Sequence, residues 1–157
     1  MDKDQVESII SQLKSSKTDN QFIEVKEAVG KLPKSTVETI SAFANGSGGT
    51  FIFGLSEREN FIPAKGFNAK KIADAVAQAC CDKLTPPIRA NIEIVKYDNS
   101  EIVVASIDET LPRDKPCYVS TRGMYQGSFI RTFDGDRHLS QYEIDRLLGN
   151  KNQYCLA

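Results

Sequence analysis

Apolar residues recur at helical spacing near the start of the chain, where Val6, Ile9, Ile10 and Leu13 share one face and predict a helix over residues 3–14. A polar stretch over 14–20 breaks that pattern, and Phe22, Ile23 and Val25 predict a short strand ending near Lys26. Val37, Ile40, Phe43 and Ala44 mark the buried stripe of a second helix. Pro33 and Ser35 open it, Ser35 standing three residues before Glu38 in the spacing of a capping box, and Asn45-Gly46 closes it. Thr50 to Phe53 is short and apolar, as expected of a central strand. Ser56 to Asn68 reads as a polar loop containing Pro63 and Gly66. Residues 69–83 repeat the helical period through Ile72, Ala75, Val76 and Ala79, and Pro86-Pro87 ends that segment. Ile92, Ile94 and Val95, then Ile102 to Ile107, flank Asp98-Asn99-Ser100 and predict a β-hairpin. Past a Pro-rich bend over 111–116 lie short extended pieces at 117–119 and 128–131. Ser140 then precedes Glu143 in a second capping-box spacing, and Ile144, Leu147 and Leu148 complete a last helix.

The order implies an α+β fold: a β-α-β-α-β-β core with helices packed on the sheet, an N-terminal helix and a C-terminal β-α extension. The 157 residues suit one domain, read as 1–150, with 151–157 as a tail where a longer chain would continue. Lys plus Arg number 20 against 21 for Asp plus Glu, a net charge of -1. A near-neutral chain cannot coat nucleic acid by bulk charge, so any such site must be a local patch. The longest apolar runs are strand-sized, and the polar start, Met1-Asp2-Lys3-Asp4, lacks the apolar core of a signal peptide. These features lead us to expect a cytoplasmic location, reduced thiols and no membrane partner. Cys80, Cys81, Cys117 and Cys155 include no CxxC pair and His138 is the sole histidine, so the spacing offers no zinc knuckle.

Four stretches together resemble one family, the Schlafen/Alba-like (AlbA_2-type) DNA-binding domain of bacterial and archaeal transcriptional regulators and helicase-related proteins. They are Phe22-Ile23-Glu24-Val25-Lys26; Ser41-Ala42-Phe43-Ala44-Asn45 with Gly48-Gly49; Phe51-Ile52-Phe53-Gly54-Leu55; and Tyr118 through Arg131, ending in Gly-Ser-Phe-Ile-Arg. The likeness covers roughly residues 19–148. It implies an Alba-like core, in agreement with the element order above, and a nucleic-acid-binding module, DNA favoured over RNA, with no cofactor. It also carries an enzymatic alternative. In Schlafen proteins three acidic residues bind a divalent metal and cleave structured RNA, and position by position they fall on Asp19, Glu24 and Glu57 of this chain. Asp19 stands where Glu is usual, and Ser56-Glu57 replaces a pair of aspartates. Under that alternative magnesium or manganese would polarise a phosphodiester and lower the pKa of an attacking water.

Side-chain chemistry narrows the candidates. Glu24 and Lys26, two apart on a strand, share a face; they would serve either a ligand or a plain salt bridge. Gly46-Ser47-Gly48-Gly49 leaves a helix and enters a strand, the reverse of a phosphate cradle, and no GK[ST] follows. Its glycines serve a sharp turn, and the loop around Gly48 would bring backbone amides near a ligand. From Leu111 to Arg137 the cations Arg113, Lys115, Arg122, Arg131 and Arg137 face Asp114, Asp134 and Asp136, a surplus of two. Tyr118, Tyr125 and Phe129 among them would either stack on bases or fill the core. Lys65, Lys70 and Lys71 form a second basic cluster at a helix start, where phosphate is favoured if the lysines are not simply solvated. Cys80-Cys81 places at least one thiol in the core, and His138 is expected either to cap the last helix or to pack beside it. The expected contacts to phosphate are Lys26, Arg122 and Arg131, with Gly48. The readings that compete with nucleic-acid binding are the metal-dependent endoribonuclease and a protein-interaction or dimerisation module, with a homodimer among the partners considered.

Overall fold

The structure is a computed structural model and describes residues 2–17, 20–133 and 135–156, without the side chains of 150–156. Helix α1 (Lys3–Ser16) begins with a capping box in which Asp2 and Gln5 exchange hydrogen bonds. Strand β1 (Ile23–Lys26) leads through a loop to α2 (Thr36–Asn45) and then to β2 (Gly49–Phe53). A small hairpin, β3 (Leu55–Ser56) with β4 (Ile62–Pro63), precedes α3 (Ala69–Asp82). After β5 (Leu84–Thr85) come β6 (Asn91–Tyr97) and β7 (Ser100–Ile107), joined by Asp98 and Asn99. Both turn residues have positive φ, as a two-residue hairpin turn that matches strand twist requires. The extension comprises β8 (Tyr118–Val119), a short α4 (Met124–Gly127), β9 (Phe129–Thr132), β10 (Gly135–His138) and α5 (Gln141–Leu156).

The described residues build a main sheet in the order β1-β2-β7-β6, with β1 parallel to β2 and the other neighbours antiparallel. Strand alternation divides its core in two. Val25, Ile52, Val104 and Ile102 meet Val6, Ile10 and Leu13 of α1 on one face. Phe51, Phe53, Val103 and Ala105 meet Ile40 and Phe43 of α2 and Ile72 and Val76 of α3 on the other. By the register Glu24↔Phe51 and Lys26↔Phe53, these two charged residues lie on the α2 face. A Cβ on Gly49 would run into the Phe43 ring, so the helix-to-strand turn needs glycine for that close approach.

Three local expectations change. Ser35 makes no side-chain cap on α2; its hydroxyl instead accepts from Lys26 Nζ at 2.9 Å, and Glu38 turns to Arg122. The stretch 56–68 is more than a polar loop, because Phe61 is fully buried beside Leu55 and α1. Its backbone is held at φ +61, uncommon for a bulky residue, and the buried ring holds it there. Past Arg131 the chain turns back as β10, a strand the apolar pattern does not signal because Gly135-Asp136-Arg137-His138 carries no apolar alternation. The second capping box forms as expected: Ser140 N–H donates to Glu143 Oε1 and Glu143 N–H to Ser140 Oγ. Among the described residues, no helix is long and apolar enough to cross a membrane.

Candidate nucleic-acid interface

Helix α2 and the C-terminal extension are stitched together by two buried polar side chains. Asn45 Nδ2 donates to the carbonyls of Cys117 and Phe129, each at 2.9 Å, and its Oδ1 accepts from Cys117 N–H at 2.7 Å. Ser41 Oγ donates to Cys117 O at 2.7 Å and accepts from Phe129 N–H at 3.0 Å. Buried backbone groups need such partners. Asn45 therefore serves as the anchor of β8 and β9 rather than as a cap on its own helix.

That anchoring brings Arg131 of β9 against β1. Arg131 Nη2 meets Glu24 Oε2 at 2.6 Å and Asn20 O at 2.9 Å, and Nη1 meets Asp136 Oδ1 at 3.1 Å. Its side chain is only 8% exposed and its guanidinium lies 5.5 Å from the Phe43 ring centre. Burial works against the charge, and the Glu24 and Asp136 carboxylates more than offset it, so the guanidinium is held charged above its ordinary range. Asp136 accepts a hydrogen bond from Thr39 Oγ1 on α2. Lys26 Nζ lies 3.2 Å from Glu24 Oε1 with its side chain 11% exposed. Arg122 lies 3.0 Å from Glu38 Oε2, over the Phe129 ring, and keeps 40% of its side chain exposed.

Three of the expected contacts are thus brought together. Lys26 reaches Ser35, Arg122 reaches Glu38 and Arg131 reaches Thr39 through Asp136. Positions 35, 38 and 39 are spaced i, i+3, i+4, so all three cations meet one face of the N-terminal half of α2. Glu24, Glu38 and Asp136 balance their charge. Breaking the half-exposed Arg122–Glu38 pair costs about 0–1 kcal/mol. Stripping a partner from the largely shielded Arg131–Glu24 pair costs more, up to about 3–5 kcal/mol. Only Arg122 is therefore cheaply released to an outside anion. At the helix terminus Thr36 N–H already donates to Pro33 O. No side chain caps it, and buried Thr36 Oγ1 has no hydrogen-bond partner among the described residues.

Gly48 lies elsewhere, at the far end of α2, about 15 Å along a ten-residue helix. Its φ of +82 and the Ile107 carbonyl, 2.7 Å from where a Cβ would stand, explain the glycine. Its N–H is spent on Phe43 O at 2.9 Å, and the shallow depression beside it is flanked by Asp108 and Glu109. Glu57 is exposed on the turn between β3 and β4, Asp19 lies outside the described residues, and Glu24 holds Arg131 and Lys26. Among the described residues no three His, Cys, Asp or Glu side chains cluster as metal ligands.

The other candidates divide between core and surface. Phe129 is buried against His138, with ring centres 4.4 Å apart, whereas Tyr125 is 45% exposed and its hydroxyl donates to Asp145. Lys65, Lys70 and Lys71 are exposed, Lys70 pairing with Asp74 while Asn68 caps the helix. Cys80 and Cys117 are buried and Cys81 is exposed. Burial, with the neighbouring thiol, pushes Cys80 up to about 11 and Cys117 to about 12. The residues that sequence reasoning missed are Asp136, Thr39 and Ser35. No apolar pattern signalled them; it is the register of β9 with β10 that sets Asp136 directly opposite Arg131.

The chain belongs to the Schlafen AlbA_2 family, whose model matches residues 19–140. Among solved structures it is similar to the N-terminal domain of a protein from Nitrosomonas europaea named as related to the ATP-dependent DNA helicase RecG. That likeness has a TM-score of 0.65 and 22% identity, over 80% of this chain and 86% of the other. It is also similar to the DIP2311 protein from Corynebacterium diphtheriae, with a TM-score of 0.57 and 13% identity. The match covers 87% of this chain and 26% of that one, so the chain spans about a quarter of that protein. No curated protein gives a significant match.

Proposed function

From that family membership we propose that the chain is a nucleic-acid-binding module, favouring DNA over RNA, of a transcriptional regulator or helicase-related protein. The observation that carries this reading is the meeting of Lys26, Arg122 and Arg131 on one face of the N-terminal half of α2. A helix N-terminus favours anions through its free amides and dipole, and nearby cations deepen that preference. On this reading a phosphate displaces Glu38 from Arg122 and sits against the uncapped first turn. Lys26 and Arg131 contribute charge while staying bound to Glu24. The loop at Gly48 takes a peripheral part, because its own amide is already used. The RecG-related name of the structural neighbour supports the nucleic-acid setting.

Fluorescence anisotropy with duplex DNA, single-stranded DNA and an RNA hairpin, each titrated over salt, tests the proposal. Binding should weaken steeply with salt, and Arg122→Ala should reduce the log–log slope by about 1. Absence of binding at low salt, or a slope unchanged in Arg122→Ala, overturns it. Manganese-dependent cleavage of the hairpin that vanishes in Glu24→Ala would replace it with the nuclease reading.

A further inference from the structure

Strand β6 forms the outer edge of the main sheet and, among the described residues, pairs only with β7. Its seven residues contain no proline, and no backbone hydrogen bond reaches their outer side among the described residues. The hairpin register states which groups point outward. Tyr97 and Ser100 close a two-residue turn, so Tyr97, Val95, Glu93 and Asn91 exchange bonds with β7. The backbone N–H and C=O of Ile92, Ile94 and Lys96 therefore face away from the sheet. On the same alternation, Ile92 packs on the α3 side while Val95 and Tyr97 pack on the α1 side. Ile94, midway along the edge, is left 43% exposed.

We propose that this edge pairs with the same edge of a second copy, antiparallel about a two-fold axis through Ile94, to give one continuous eight-stranded sheet. Symmetry and the hydrogen-bond pattern together select this register. Residues directly opposite each other must share a face, so the axis must pass through a residue. An axis through Glu93 or Val95 would leave only two bonded pairs among the outward residues Ile92, Ile94 and Lys96, against three with the axis at Ile94. An axis through Ile92 or Lys96 would forfeit part of the overlap. With the axis at Ile94, the pairs Ile94–Ile94, Ile92–Lys96 and Lys96–Ile92 exchange backbone bonds across the interface. The two exposed isoleucines cover each other, and each Lys96 stem lies over an Ile92. With the axis at Ile94, Glu93 stands opposite Val95 and Lys96 opposite Ile92, so no two like charges are directly opposed. The partner is a second copy because one self-complementary strand satisfies both sides.

Light scattering of the whole chain without nucleic acid, over a wide concentration range, tests the interface. It separates this inference from the nucleic-acid reading. The mass should rise towards that of two chains. Ile94→Pro should return it to one chain at every concentration, because proline removes an N–H that β7 does not use. Ile94→Lys should do the same without touching the backbone. Ile94→Cys, with Cys81 and Cys155 replaced by serine, should form an intermolecular disulfide faster than Leu111→Cys in that background. The expected Cα separation of about 5.5 Å across a bonded pair permits the bridge. A chain that stays monomeric at all concentrations overturns the proposal. So does a dimer that survives both Ile94→Pro and Ile94→Lys, or an Ile94→Cys variant that cross-links no faster than the control.

Discussion

The two edges of the main sheet are finished in different ways. At β1 the edge is closed from outside, by an arginine that arrives from β9 and bonds Asn20 O, Glu24 and, at 3.5 Å, Ile23 O. At β6 no backbone hydrogen bond reaches the outward groups among the described residues. Open edges invite pairing, and charged or covering groups discourage it. The C-terminal extension thus has two consequences at β1. It seals the strand, and it carries Arg122 and Arg131 to the same helix face as Lys26. The opposite edge has no such cover and is left for another strand.

The largest break in this contrast should come from Arg131→Met. It leaves Asp136 without its cation and Glu24 with Lys26 alone, and a loss of up to about 3–5 kcal/mol is expected in denaturant unfolding. The next is Asn45→Ala, which orphans backbone groups of Cys117 and Phe129; about 3 kcal/mol should be lost. The extension should loosen before the sheet does, visible as earlier amide exchange in β8 and β9 than in β2. Arg122→Ala should cost under about 1 kcal/mol, because its pair is half exposed. At the other edge Lys96→Thr should change stability by no more than about 0.5 kcal/mol. If Lys96→Thr cost as much as Arg131→Met, the two edges would not differ as described.

The thiols sharpen the comparison through pH. Cys117 begins the sealed segment and Cys80 lies in α3; both have folded-state values raised above 9.0. A raised value stabilises the folded chain fully below the unfolded value and loses that contribution as pH climbs through the folded one. The loss from these thiols should therefore run from about pH 9 to about pH 12. It should shrink when Cys117 is replaced by alanine. In the folded chain Cys81 should react with a thiol reagent well before Cys80 or Cys117, read by mass spectrometry of labelled peptides.

Much of this fold was legible in the apolar pattern. Ile52 and Val25 alternate with Phe51, Phe53 and Glu24 because each strand feeds two layers, and helical spacing in α1 and α3 marked their buried stripes. The resemblance carried the site further, since Glu24, Lys26, Asn45 and Arg131 all fall within its motifs. What remained hidden depends on contacts far apart in the chain. Ser35 matched a capping box by spacing, yet Lys26, nine residues earlier, takes its hydroxyl. Asn45 looked like a local cap, yet its partners lie at 117 and 129. Local spacing cannot see a tertiary competitor for a side chain that has several uses.

On the proposed function, the sealed edge meets phosphate through the N-terminal half of α2. Amide chemical-shift mapping by NMR, with a short DNA duplex added at low salt, tests it most directly. Shifts should concentrate at residues 35–39 and in the side-chain N–H signals of Arg122, with β6 undisturbed. Shifts confined to β6 and the Asp98-Asn99 turn, or none at saturating duplex, would contradict it.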